Sequence, residues 1–152
     1  MSKILAILLI VLAASSPHAK QAPSITDSEL ALGGIAIDDS EQVVLAKLGK
    51  PANVTDTGDF LNIRLDYPGL TIWLGEGRRV GEILSTAPSQ CSPSGICPGQ
   101  RLSVATTKLG PALVAVREDG RFMEYPSAQS SCWLQLAVLR GIIVSVRAEC
   151  QP

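Results

Sequence analysis

The sequence predicts an α+β fold: two helix-plus-antiparallel-meander repeats forming one sheet, with both helices on one face. Three observations carry that expectation. The first is an internal repeat, because Gly34-Ile35 and the downstream Leu48-Gly49-Lys50-Pro51 return as Gly95-Ile96 and Leu109-Gly110-Pro111. The second is a short capped apolar stretch before each Leu-Gly, which reads as a helix. The third is period-two alternation after each proline, the mark of half-buried strands.

The ends of the chain set the frame. Lys3 precedes an apolar run from Ile4 to Ala14, followed by Ser15, Ser16, Pro17, His18 and Ala19. That order predicts a signal peptide over residues 1–19, with the cut between Ser15 and Ala22. The run is about half the ~20 residues a spanning helix needs, so no stable membrane insertion is expected. No cysteine precedes Cys91, so an acylated lipoprotein amino terminus is not expected either. The protein is therefore expected to be periplasmic or secreted, and soluble once the signal is cut. The remainder divides into an N-terminal segment, 20–33, a first repeat, 34–88, and a second repeat, 89–152.

Thirteen basic and 14 acidic residues give near balance without a basic stripe, which argues against nucleic acid as a partner. Four cysteines in an exported chain favour two disulfides. Cys91 and Cys97 bracket the turn-rich Ser-Pro-Ser-Gly-Ile. Cys132 and Cys150 flank a hairpin expected to turn near Arg140-Gly141, and equal arms would set them opposite each other. The expected pairs are therefore Cys91 with Cys97 and Cys132 with Cys150. Zinc is the competing use of four cysteines, but paired Cys-x-x-Cys knuckles are absent from the sequence, so no metal or other cofactor is expected.

In the first repeat, Asp39 or Ser40 can cap a helix that Gly49 and Pro51 end, with Val44, Leu45 and Leu48 as its buried stripe. The second helix is expected from Gln100 to Leu109, with Leu102, Ala105 and Leu109 inward. Neither is long enough to persist alone, so packing must hold both. Three strands are expected after the first helix, through Leu61–Tyr67, Leu70–Leu74 and Val80–Thr86. Three more should run through Arg121–Tyr125, Leu134–Val138 and Ile142–Ala148, making six in one sheet.

These motifs together resemble the unit of the small outer-membrane assembly lipoproteins, the SmpA/OmlA or BamE family. The matching residues are Gly34, Asp39, Val43, Leu48-Gly49-Lys50-Pro51, Tyr67, and Gly77-Arg78-Arg79-Val80 leading to Ile83. Gly95, Val104, Leu109-Gly110-Pro111 and Tyr125 match in the second copy. The tandem arrangement is similar to that of the β-lactamase inhibitory protein, whose two repeats build a concave sheet that grips an enzyme. The resemblance implies a BamE-like internal repeat and a binding module of the inhibitor type. Two departures stand beside it: the lipidated cysteine is absent, and no stretch aligns with an inhibitor's enzyme-contacting loops.

His18 is the only histidine and lies in or beside the removed segment. Ser-His-Asp and Cys-His catalysis are thus without their base, so no enzyme activity and no catalytic residue are expected. Asp38, Asp39 and Glu41 read as helix-start groups, and Asp56, Asp59 and Asp66 as loop or solvent-face residues. The aromatic residues are the stronger lead. If Leu70, Ile72 and Leu74 face the helices, Trp73 faces away, and the same parity sends Trp133 outward beside Leu134. With Arg64 and Gln135 nearby, they form a candidate protein-binding surface. The competing reading packs each tryptophan against a loop, the N-terminal segment or a long neighbouring side chain.

The function expected is a non-catalytic exported protein-binding module whose partner is another exported or envelope protein. Its sharpest form is an inhibitor or immunity protein for an exported enzyme. The alternatives are an envelope-assembly scaffold and a small-ligand or cell-wall-fragment binding protein.

Overall fold

The computed structural model describes residues 23–151, so the expected signal peptide and His18 lie outside the described residues. The chain begins with a 3-10 turn, Asp27–Glu29, and a two-stranded hairpin, β1 (Ala31–Leu32) and β2 (Ile35–Ala36). That hairpin spans Gly33-Gly34, where the sequence drew the boundary between the N-terminal segment and the first repeat. Next come α1 (Glu41–Leu48), β3 (Asn53–Asp56), β4 (Ile63–Tyr67), β5 (Leu70–Leu74) and β6 (Val80–Ser85). A connection over 86–101 leads to α2 (Leu102–Leu109), β7 (Leu113–Arg117), β8 (Gly120–Pro126), β9 (Cys132–Leu139) and β10 (Ile142–Cys150).

The fold is α+β, with one eight-stranded antiparallel sheet in the order β3-β4-β5-β6-β10-β9-β8-β7 beside the small hairpin sheet. Six strands were expected; the two additional ones are the edges, β3 and β7. All four residues of β3 are exposed, and of β7 only Ala115 is not. An edge strand that packs against little shows no inward-outward alternation, so the period-two signal had nothing to report there. The turns inside the sheet follow local chemistry. Pro68-Gly69 joins β4 to β5 with Gly69 at φ 70°, and Arg140-Gly141 joins β9 to β10 with both residues at positive φ, as a two-residue hairpin requires.

Register partners across the sheet form one buried row: Leu65, Ile72, Ile83, Ala148, Leu134 and Tyr125. A second row on the same face includes Tyr67, Leu70, Ser85, Val146 and Leu136. Buried Ser85 satisfies its hydroxyl by donating to the Gln90 carbonyl at 2.6 Å, as burial of a polar group demands. Both helices lie over this face. Tyr67 donates its hydroxyl to the carbonyl of Gly49, just past α1, and Tyr125 does the same to Gly110, just past α2, each at 3.0 Å. Ile25, Leu30, Leu32, Ile35 and Ile96 complete the single buried cluster with Val44 of α1 and Ala105 of α2, and β1 packs on the central strands β6 and β10.

Ser40 is the cap of α1, its hydroxyl accepting from the amide of Val43. Leu45 departs from the expected stripe: it is 40% exposed, while Val44 is buried and Leu48 partly so. α1 touches the sheet over a narrow band, so only part of the stripe finds a partner. α2 starts at Leu102, later than the expected Gln100, because the Gln100 amide donates to Cys97 and its carbonyl accepts from Ile143. Those backbone bonds tie Gln100 to a loop and to β10, which a helical residue there would forgo.

The bridges Cys91–Cys97 and Cys132–Cys150 both form, as the sequence predicts. Cys132 and Cys150 are direct register partners across β9 and β10. Near the other bridge, buried Glu29 accepts from the Ser94 hydroxyl at 2.8 Å and from the Ser94 amide, and pairs with the Ser92 hydroxyl. This stitches the N-terminal segment to the small disulfide loop.

Candidate protein-binding face

Alternation along each strand leaves the face away from the helices to the residues between the core positions. One row across that face runs Arg64, Trp73, Glu82, Glu149, Trp133 and Pro126. The next runs Asp66, Thr71, Leu84, Arg147, Gln135 and Glu124. All four residues singled out from the sequence, Trp73, Trp133, Arg64 and Gln135, therefore stand on the helix-free face.

Each tryptophan is half-buried beneath arginine. The guanidinium groups of Arg64 and Arg147 each lie 6.0 Å from the centre of the Trp73 ring, and that of Arg117 lies 5.2 Å from the centre of Trp133. At these distances the ring quadrupole attracts the cation. Outward placement and cover by long neighbouring side chains, read from the sequence as competitors, thus occur together.

The arginines are themselves fixed. Arg64 donates to Asp66 at 2.8 Å, Arg147 pairs with Glu82, and Arg117 holds Glu124 through both carboxylate oxygens at 2.9 to 3.1 Å. The Trp133 indole N–H donates to Glu149 at 2.8 Å, and the Gln135 amide donates to Glu124 at 3.0 Å and to Glu149 at 3.3 Å. Gln135 is thus a buried link between two carboxylates rather than an exposed contact. Among the described residues no buried side-chain nitrogen or oxygen lacks a hydrogen-bond partner, so the network is closed and holds its rings in place. Burial pushes the Glu82 carboxyl above the ordinary carboxylate range, with Arg147 opposing and Glu149 adding to the rise.

Two grooves open on this face and share Glu149 as a wall. The first, of about 440 Å³, lies between the β3–β4 loop and the end of β10, with Phe60, Leu61, Trp73, Gly81 and Glu82 among its lining. The second, of about 370 Å³, is lined by Arg117, Glu118, Asp119, Trp133, Gln135, Arg147 and Glu149. Phe60 stands 68% exposed at the rim of the first.

Sequence reasoning did not select Glu82, Arg147, Glu149 or Glu124. The signal was present, since Arg147 and Glu149 alternate with Val146 and Ala148, and Glu124 precedes the inward Tyr125. Phe60 and Arg117 stand in or beside the hairpin loops at the two ends of the sheet, whose course strand periodicity does not define. Asp66, read as a solvent-face residue, pairs with Arg64, and Glu41 pairs with Arg78, whose hydrogen bond holds the Glu41 carboxyl below its ordinary range.

Two disulfides belong to an oxidising compartment, and no helix among the described residues is long and apolar enough to cross a membrane. The molecule is thus an exported α+β protein with a long antiparallel sheet open on one side. No protein-family model matches the chain, and no curated protein matches it at a significant level. Solved structures share its fold. One is an extracellular protein containing an SCP domain from Bacillus anthracis str. Ames, with a TM-score of 0.56 and 15% identity over 93% of this chain. The match spans only 50% of that protein. Another is a DUF4309 family protein, YjgB, from Bacillus subtilis subsp. subtilis str. 168, with a TM-score of 0.55 and 15% identity over 78% of this chain and 83% of that one. Neither is described as an outer-membrane lipoprotein or a β-lactamase inhibitor, and at such identity the likeness is one of fold.

Proposed function

We propose that this chain is a non-catalytic binding module that grips another exported or envelope protein through the helix-free face of its sheet. The observation that carries the reading is the pair of tryptophans, each half-open and held under arginine by a closed network. Tryptophan and arginine dominate the energetics of protein interfaces, and a fixed ring loses little freedom on binding. Blocking an exported enzyme is the sharpest form of this activity, and holding an envelope assembly together is the other. Either can operate in the periplasm or outside the cell.

The same reading takes the chain as two copies of a BamE-like unit, in the manner of the β-lactamase inhibitory protein. Its support is the recurrence of interactions at the motif positions. Lys47 and Lys108, 61 residues apart in the sequence, each donate at 2.7 Å to a carbonyl of the preceding loop, Gly34 and Ser94. Gly49 and Gly110 end their helices at positive φ and receive a tyrosine hydroxyl. Ser40 and Arg101, the residues before each helix, bridge to Arg79 and Ile142 at the starts of β6 and β10. The Leu-Gly-x-Pro and tyrosine motifs are therefore parts of one device that clamps a helix to its meander.

A small-ligand or cell-wall-fragment reading has one point in its favour, because a groove of about 440 Å³ is of small-molecule size. Against it, Arg64 and Arg147 already stand over the Trp73 ring on which a sugar would stack.

The test is capture from native envelope and culture-supernatant extract by the oxidised protein, beside the Trp73→Ala/Trp133→Ala double variant with its fold verified by circular dichroism. A partner that the first retains and the second loses, and that rebinds as a purified protein, supports the module. Retention by both removes the face from consideration. Saturable binding of muropeptides, with no protein retained, transfers the face to the ligand reading.

A further inference from the structure

The two grooves differ in charge, although each has a tryptophan wall. The second sets Arg117 and Arg147 against Glu118, Asp119 and Glu149. The first presents Asp59, Glu82 and Glu149 with no lysine or arginine in its lining. Arg147 reaches the first groove's carboxylates from outside, pairing with Glu82 and standing 3.9 Å from Glu149, so one cation is set against three carboxylates and the lining keeps a net negative charge. Trp73, Phe60, Leu61 and the Cys150 end of β10 make the apolar part of its walls, with Thr57 and Gln151 as neutral polar neighbours.

The shape of this groove is written into one glycine. A Cβ on Gly81 would lie 2.4 Å from Leu61 Cδ2, so the bare glycine at this point of β6 lets the Leu61 side chain lie down against the strand. The loop brings Phe60 to the rim, where 68% of it is exposed. A large aromatic ring at the mouth of an acidic, apolar-walled groove is complementary to a cation on an apolar stem: carboxylates for the head, rings and a leucine for the methylenes. Water can meet the charge but not the stem. The raised Glu82 carboxyl agrees with this, since a second cation would relieve the cost of its burial.

Building on the proposed protein-binding function, we infer that the first groove receives a lysine or arginine side chain of the partner protein, with Asp59, Glu82 and Glu149 meeting its charge beside the Trp73 wall and Phe60 and Leu61 flanking its stem. The groove thereby sets specificity, because a partner with an acidic residue at that position meets three carboxylates. The second groove, with cations in its own lining, does not make this selection.

The experiment uses the oxidised protein labelled with nitrogen-15 and follows its two tryptophan indole N–H resonances. N-acetyl-arginine methylamide and N-acetyl-lysine methylamide are the probes, and N-acetyl-norleucine methylamide is the neutral control. Expected is a saturable shift of the Trp73 indole with the cationic probes, about tenfold weaker or more with norleucine, and abolished by Asp59→Asn/Phe60→Ala, two exposed residues whose replacement leaves the fold intact. Equal response to norleucine, a shift at Trp133 instead of Trp73, persistence in the double variant, or no saturable shift with any probe overturns the inference. These outcomes leave the protein-binding reading to be decided separately by capture with the tryptophan variants.

Discussion

Trp73 and Trp133 stand on the third strands of the two halves of the sheet, β5 in β3–β6 and β9 in β7–β10, yet they are held differently. Trp133 is anchored by its indole N–H to Glu149 and enclosed by Arg117, Gln135 and the glutamates they bridge. Trp73 has arginines over its ring and an open acidic groove beside it. The second half also ends in the Cys132–Cys150 bridge, and its clamp tyrosine, Tyr125, is fully buried, whereas Tyr67 is not. The sheet thus has a braced half and a more open half. The same backbone pattern tolerates both because helix-free positions alternate with core positions and can change without disturbing them.

Removing the brace is expected to have the largest effect. Cys132→Ala/Cys150→Ala should lower unfolding free energy by about 3 kcal/mol, and Cys91→Ala/Cys97→Ala by about 2 kcal/mol, because the second bridge closes a smaller loop. Urea unfolding of both variants measures the order, and a reversed order would contradict a braced second half. Next in size, Trp133→Ala should cost about 2 kcal/mol, since it removes the indole donor from Glu149 and uncovers the network around it, while Trp73→Ala should cost about 1 kcal/mol or less. Equal costs would erase the distinction between the halves.

The smallest effect is a pH dependence inside the first half. Glu41 is held below the ordinary glutamate value of 4.5 by the Arg78 hydrogen bond. Its folded pKa is lower than its unfolded one, so its contribution is present above about pH 4.5 and lost as pH falls through the folded value. For so exposed a pair this is a few tenths of a kcal/mol. Glu82 has the opposite sign: its folded pKa is raised, so its contribution is full below the unfolded value and lost as pH rises through the folded one. Thermal melts of Glu41→Gln between pH 3 and pH 6 should show a flatter acid limb than the parent, and an unchanged limb would refute the assignment.

Much of the fold was legible because its signals are local. Leu48-Gly49 and Leu109-Gly110 end helices where a glycine at positive φ must stand, and Arg140-Gly141 turns a hairpin whose equal arms bring Cys132 to Cys150. Parity alone put Trp73 and Trp133 on the helix-free face. Parity could not find β3 and β7, whose residues are largely exposed, nor say that Leu45 would miss the sheet. The grooves were beyond reach for a different reason: they depend on where the β3–β4 and β7–β8 loops lie, which is fixed by contacts such as Leu61 over Gly81, distant in sequence.

The join between β6 and β10 has a consequence for how the chain assembles. Every other neighbour pair in the large sheet is formed by strands consecutive in the chain, whereas residues 82–85 must find 146–149. Each half closes through short loops, whereas the union demands the longest loop closure in the sheet. Until then β6 and β10 are raw edges with matching register, so at high concentration two nascent chains could trade halves as readily as one could close on itself. The connection over 86–101 counters that trade, because the Cys91–Cys97 bridge shortens it and Glu29 ties it down. Closing that small loop therefore shortens the span between the two halves, so the bridge sets how far β10 stands from β6 as well as tying down the connection.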